Sequence, residues 1–507
     1  MLAFVGEQSM SKTFEPLGSR VQRKGPAASP RRRRWSPHPA NASWVVNDVH
    51  SQLNCTRVSH IATPNSLAEL QALIRRARTA GKSLSVAGGR HAMGGQQFAA
   101  DSVLLDMSQM SRVLSFDPAR GEIEVEAGIQ WPALIAHMTK AQRGLSRQVG
   151  IRQKQTGADR LSVGGALAAN IHGRGLQLKP FVGDIESFVL IDAEGTARTC
   201  SRFENAELFR LAIGGYGLFG VVARVTLRLA PRRKLERVVR LAETSELASL
   251  FEQRIAAGFL YGDFQFMTDP SSAGFLRTGI FSCYRPVDDA TPTGEGQREL
   301  SAHDWHELLY LAHTDRRRAF ELYAAHYLAT SGQLYWSDKH QLSFYLDDYH
   351  QTLDQRLDAP QRGSEMITEL YIPRERLTAF METVRGDFLR QQTELIYGTV
   401  RLIERDDETF LAWAKERYAC VVFNLHVTHD AVGLIKAQYD FRRLIDRALQ
   451  FDGSYYLTYH RWATREQVAA CYPQMPEFLR LKRCLDPSEV FQSDWYQHYK
   501  LMFAGAE

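Results

Sequence analysis

The sequence lacks any apolar run near the ~18 residues that a membrane-spanning helix requires, so no membrane span is expected. It has only six cysteines in 507 residues, widely scattered, with no CxxC pair and no Cys/His cluster at zinc spacing. That argues against a disulfide scaffold and against a metal centre, and makes reduced thiols in a cytoplasmic protein the expectation. No glycine-rich stretch runs on into G-K-S/T, which excludes a Walker A nucleotide site. A basic folded body is also missing. The formal charge of +5 comes from residues 1 to 40, where eight Lys/Arg face two acids. Removing that +6 leaves the rest of the chain at −1, so charge gives no reason to expect nucleic-acid binding.

What is there is an ordinary globular composition, 44% hydrophobic and 23% charged, long enough for two or three domains. Residues 1–45 include the Pro/Ser/Arg-rich "GPAASPRRRRWSPHP" and read as a disordered basic tail. "SPHPANASWVV" follows Arg31–Arg34 where a twin-arginine signal needs an apolar stretch, so a solvated arm is the better reading.

Residues 46–232 alternate helix and strand signals. Ser66 and Glu69 have capping-box spacing before an apolar face of Leu67, Leu70, Leu73, Ile74 and Ala77. "SLSVA" and "SVLLDM" read as strands, "GEIEVEAG" alternates with a period of two, and "IESFVLIDAEGTARTCS" reads as a hairpin. Residues 233–452 hold a long helical stretch, "ELLYLAHTDRRRAFELYAAHYLAT", and strands "YGDFQFMT", "EMITELYIP", "YGTVRLIE" and "CVVFNLHV". The pattern predicts an α+β protein: two small α/β subdomains, then a cap domain with a mixed or antiparallel sheet under helices, then residues 453–507 returning to the first domain.

Three glycine-rich segments carry the chemistry. "GGRHAMGGQ", 88–96, follows a strand and suits a backbone cradle for an anion. "TGADRLSVGGALAANIHGRG", 156–175, interleaves glycines with small residues, letting backbone approach something flat or phosphorylated. "GGYGLFG", 214–220, fits G-x-G-x-x-G, but a helix signal precedes it and a strand follows, the reverse of a Rossmann fingerprint. It reads instead as a tight helix-to-strand turn beside a ligand.

Together these segments resemble the FAD-binding domain of the vanillyl-alcohol oxidase/p-cresol methylhydroxylase superfamily, over roughly 50–232 and 453–500. "SVGGALAANIHGRG" and "YYLTYHRW" are similar to decaprenylphosphoryl-ribose oxidases, while "GRHAMGGQ" is similar to cytokinin dehydrogenases. The resemblance implies FAD as cofactor. It implies that Gly88, Gly89, Arg90, His91, Ala92, Met93, Gly94, Gly95 and Gln96 surround its pyrophosphate. Gly157, Ser162, Val163, Gly164, Gly165, Ala169, Asn170 and His172 would run along it, Val222 would meet the adenine side, and Tyr456 would close over the flavin. His91 matches the histidine that joins the flavin 8α-methyl in part of the superfamily, although Arg90 replaces the glycine usually found before it. The catalytic lysine of the ribose oxidases is replaced here by Tyr459, followed by His460.

The implied reaction is hydride transfer from a small-molecule CH–OH donor, such as a sugar, alditol or lactone, to flavin N5, with reoxidation by O₂ or another acceptor. Such a donor needs a base within hydrogen-bond reach, and His172, Tyr459 and His460 are the candidates. Arg174, Glu369, Arg401, Asn424 and His426 are candidate substrate contacts. Oxidation of a CH–NH or benzylic substrate, and a non-catalytic flavin-binding protein, stay open at this point.

Overall fold

The computed structural model describes residues 44–505 except 294–296, 344, 345, 347 and 348. The expected basic tail therefore lies outside the described residues up to 43, while Trp44 and Val45 already belong to the short strand Trp44–Val46.

Three sheets organise the chain. A parallel three-stranded sheet places Val103–Asp106 between His60–Ala62 and Leu84–Ala87. An antiparallel five-stranded sheet runs in the order 197–201, 185–191, 221–228, 122–126, 113–117. The third sheet has eight strands, in the order 334–336, 234–243, 278–286, 261–266, 395–403, 418–428, 363–373, 454–455. Every pairing in it is antiparallel, so of the two expected sheet types the antiparallel one is found. Its adjacent strands 395–403, 418–428 and 363–373 carry almost unbroken buried residues, and helices such as Leu377–Gln391 and Ala431–Gln450 cover it.

Local signals explain the elements. Ser66 Oγ accepts from Glu69 N, but the Glu69 carboxylate reaches Asn65 N rather than Ser66 N, a box displaced by one residue. The hairpin turns at Asp192–Gly195, with Gly195 at φ +73°. The stretch 307–330 is two helices, Ala302–Thr314 and Arg316–Ala329, not one. Asp315 breaks it, leaving the helical region at φ −148°, ψ 79° and capping the second helix by accepting from Arg318 N.

The last residues of the chain tie the sheets together. Ser454–Tyr455 adds the final strand to the large sheet. Leu84 N donates to Val490 O and Gln492 N to Leu84 O, which extends the parallel sheet, and Trp495 N donates to Gly95 O.

Candidate functional site: a glycine-walled cavity

A cavity lies where the two smaller sheets meet the returning C-terminal segment. Its wall includes Gly88 to Ala92 and Gln96, then Gly157, Ser162, Gly164, Gly165 and Ala169. Tyr216, Gly217 and Gly220 of the helix-to-strand turn, with Val222, form another side, and Tyr456, Thr458 and Tyr459 close it.

The glycines are required by close contacts between the two segments. A Cβ on Gly88 would lie 2.1 Å from Ser162 Oγ, and one on Gly89 would lie 2.1 Å from the Arg160 carbonyl oxygen. The first two glycine segments thus press against each other and form a continuous wall. Short side chains at Gly164, Gly165 and Ala169 keep the cavity open on that side.

The comparisons with known proteins agree with this geometry. Residues 58–201 match the family model described as "FAD binding domain". The chain is 24% identical to L-gulono-1,4-lactone dehydrogenase of Mycobacterium tuberculosis over 86% of this chain and 95% of that protein. It is 30% identical to an uncharacterized oxidoreductase of the Rhodococcoides fascians fasciation locus, covering 49% of this chain and 58% of that protein. It is 29% identical to mouse L-gulonolactone oxidase over 33% of this chain and 37% of that enzyme. This chain is an FAD-binding oxidoreductase related to lactone dehydrogenases and oxidases.

In this flavoprotein His91 lies in the cavity wall, almost fully buried. Burial holds its pKa down at about 4, against a weaker opposing hydrogen bond to the Arg160 backbone, so the imidazole is neutral at pH 7. Its Nδ1 is 2.7 Å from Nε2 of His50, a buried residue that also lines the cavity. His50 was missed in the sequence; its only signal is the turn "NDVHS", in which Asp48 Oδ1 accepts from the backbone N–H of His50 and Ser51.

Arg90 explains the glycine usually found before this histidine. It sits at φ +57°, the left-handed region that costs a non-glycine residue about 1–2 kcal/mol. Its guanidinium pairs with Asp106 at 3.1 Å, a partly exposed contact worth about 0–1 kcal/mol. Arg90→Gly is therefore expected to leave thermal stability unchanged or raised, and a clear fall in Tm would contradict this reading.

Other sequence candidates sit elsewhere. Met93, Gly94 and Gly95 turn away from the cavity: Asn54 Nδ2 donates to Met93 O, Gly94 N donates to Gln96 Oε1, and Gly95 O receives Trp495 N. Asn170 does not line the cavity either. Its amide donates to Asp406 and its carbonyl oxygen accepts from Val182 N, so both ends are used within the protein. Val163 is buried at the start of the short helix Val163–Ala169 with its N–H on Ile129 O.

His172 is fully buried behind the wall. Nδ1 meets Gly173 O, Nε2 meets Glu369 in a very short contact, and Trp413 and Tyr371 flank the ring. His460 lies among Phe441, Tyr455 and Trp462, and burial takes its pKa to about 3; it does not line the cavity. Arg174 is buried against Asp263, the Tyr284 ring and His340 O, away from the cavity wall. Each of these positions was legible as polar or cationic, but not the direction its side chain takes.

Tyr459 does reach the cavity, and through it a second recess opens. That recess is lined by Gln155, Tyr397, Arg401, Asn424 and Tyr459. Gln155 Nε2 donates to the Tyr459 hydroxyl at 3.2 Å. Burial, with the Glu369 carboxylate nearby, pushes the Tyr459 phenol well above its usual pKa, so it keeps its proton. Arg401 is 3% exposed and its Nε has no hydrogen-bond partner among the described residues. His426 shares a strand face with Asn424, but two residues at roughly 3.3 Å each carry it past the recess; it lies instead against Glu365.

Proposed function

We propose that the protein oxidises a CH–OH group of a polyhydroxylated small molecule of the sugar, alditol or lactone type. The observation that carries this reading is the buried polar recess joined to the cofactor cavity, above all Arg401. A buried guanidinium with an unused donor is costly unless something supplies an oxygen, and a hydroxyl- or lactone-bearing substrate supplies several. The names of the lactone-oxidising relatives support the same substrate class. FAD, when bound, accepts the hydride.

The chain's own residues do the rest. Arg401 and Asn424 orient the donor. Tyr459 stands between recess and cavity, where its hydroxyl can receive the substrate's proton as it passes its own towards Glu369. His172 holds the Glu369 carboxylate in place and is a positioning residue. His91 is the proposed covalent anchor of the flavin. The division at about residue 232 is supported by the two smaller sheets drawing their strands from 60–228 and the large sheet from 234 onwards, while strand Ser454–Tyr455 still belongs to the large sheet, so the second division falls after it rather than at 452. No helix among the described residues is long and apolar enough to cross a membrane. All six cysteines are free thiols, which supports a reducing, cytoplasmic setting.

The test is anaerobic reduction of the purified yellow protein by a panel of aldonolactones, alditols, amines and phenols, followed by reoxidation with O₂ or an artificial acceptor. Bleaching by a lactone or alditol is expected. Arg401→Met should lower kcat/KM for that substrate by about 10–100-fold, the loss of a charge-assisted hydrogen bond of roughly 1.5–3 kcal/mol. Bleaching by amines or phenols alone would sink the proposal.

A further inference from the structure

A cluster of imidazoles surrounds one carboxylate in the large sheet, apart from the cavity and its recess. Glu365 and His426 are direct partners on neighbouring antiparallel strands, Gly363–Pro373 and Tyr418–Thr428. His313 comes from the last turn of helix Ala302–Thr314, and His350 from the start of helix Tyr349–Arg356. His313 Nε2 is 3.1 Å and His426 Nδ1 3.3 Å from Glu365 Oε1, while His350 Nδ1 is 3.3 Å from Oε2.

Two observations separate this from an ordinary hydrogen-bonded network. Among the described residues, His313 Nε2 and both ring nitrogens of His350 have no partner in hydrogen-bond alignment, although His313 is 94% and His350 97% buried at the side chain. They approach the carboxylate closely without the alignment of a hydrogen bond. Second, the His426 ring is seated against a glycine: a Cβ on Gly363 would lie 2.3 Å from its Cε1.

We propose that His313, His426 and Glu365, with His350 as the fourth donor, bind one divalent cation of the zinc type. Three imidazoles and a carboxylate suit zinc among the common ions. Metal–ligand bonds of about 2.0–2.1 Å at tetrahedral angles put neighbouring donor atoms about 3.3 Å apart, close to the three separations above. The donor atoms of His313, Glu365 and His426 all lie within 4.8 Å of one another, so rotamer-scale adjustment completes the site. The Tyr349 hydroxyl donates to Glu365 Oε2 and fixes the carboxylate. His426 borders a small surface recess with Glu394 and Thr428, which gives the ion an entry path. The ion would staple two helices to the sheet. Those helices pack with Tyr397, a wall of the substrate recess, so the role is structural support of that recess.

The test uses the full-length flavin-loaded protein, freed of metal with chelator, titrated with zinc chloride and desalted. One zinc per chain by mass spectrometry and a Tm rise of several degrees are expected. His313→Gln and Glu365→Gln should each lose the zinc with flavin absorbance retained, and His303→Gln, an exposed neighbour, should keep it. Should those variants not fold, cobalt chloride added to the wild-type protein provides the second measurement: a ligand-field band to the red of the flavin absorption is expected. Folded yellow protein that retains no zinc and gives no cobalt band overturns the proposal, as does zinc retained equally by both ligand variants.

Discussion

His91→Ala is expected to release the yellow colour into the supernatant when the protein is precipitated with acid, whereas wild-type protein should carry it into the pellet. The expectation follows from the state of the imidazole. Burial keeps His91 neutral at pH 7, so one ring nitrogen always has a lone pair, and the ring lies in the wall of the FAD cavity. His50 Nε2, 2.7 Å from His91 Nδ1, is placed to exchange a proton with that atom. His50→Ala should accordingly lower the fraction of flavin in the pellet while total bound flavin changes little. Because the substitution leaves the rest of the cavity wall in place, His91→Ala should still bind FAD reversibly. Free FAD from the wild type, or colour remaining in the His91→Ala pellet, rules out the tether.

Tyr459→Phe is expected to lower kcat/KM by about a hundredfold or more, within the 10²–10⁴ range typical of a positioned proton-transfer group. The substitution removes one hydroxyl and leaves the ring's packing against Tyr456. The phenol cannot act as an ionised base near neutrality, since its pKa is far above the usual value. In the proposed reaction its part is to hand a proton on, so the loss should fall on kcat, with flavin content and Tm nearly unchanged. A loss confined to KM would reduce Tyr459 to a binding contact, and an unchanged kcat/KM would remove it from the mechanism.

Much of the fold was readable because its signals are local. The alternation in 122–126, the Gly195 turn and the helix-to-strand order around Gly217 are each set by neighbours within a few residues. The cavity was readable for a related reason: glycines that allow two loops to touch are visible as glycines. What escaped depends on side-chain direction and on distant contacts. His172 and Arg174 lie two residues apart in a loop, and both point into protein rather than into the cavity. Tyr459 and His460 are adjacent, yet one faces the cavity and the other an aromatic cluster. The Glu365 cluster gathers residues from positions 313 to 426, a spacing that matches no compact metal motif, and the sequence alone predicted no metal there.

The closing strand and loop at 454–459 have a consequence for biosynthesis. Tyr456, Thr458 and Tyr459 form part of the cavity wall, and Gln96 is held by the carbonyls of Leu457 and Thr458. A ribosome releases the chain from its N-terminus, so the first glycine loop emerges more than 350 residues before the segment that secures it. A nascent chain thus has no finished cavity, and flavin capture is a late event that follows near-complete translation. Truncations ending before residue 454 should emerge from translation colourless however much FAD is supplied.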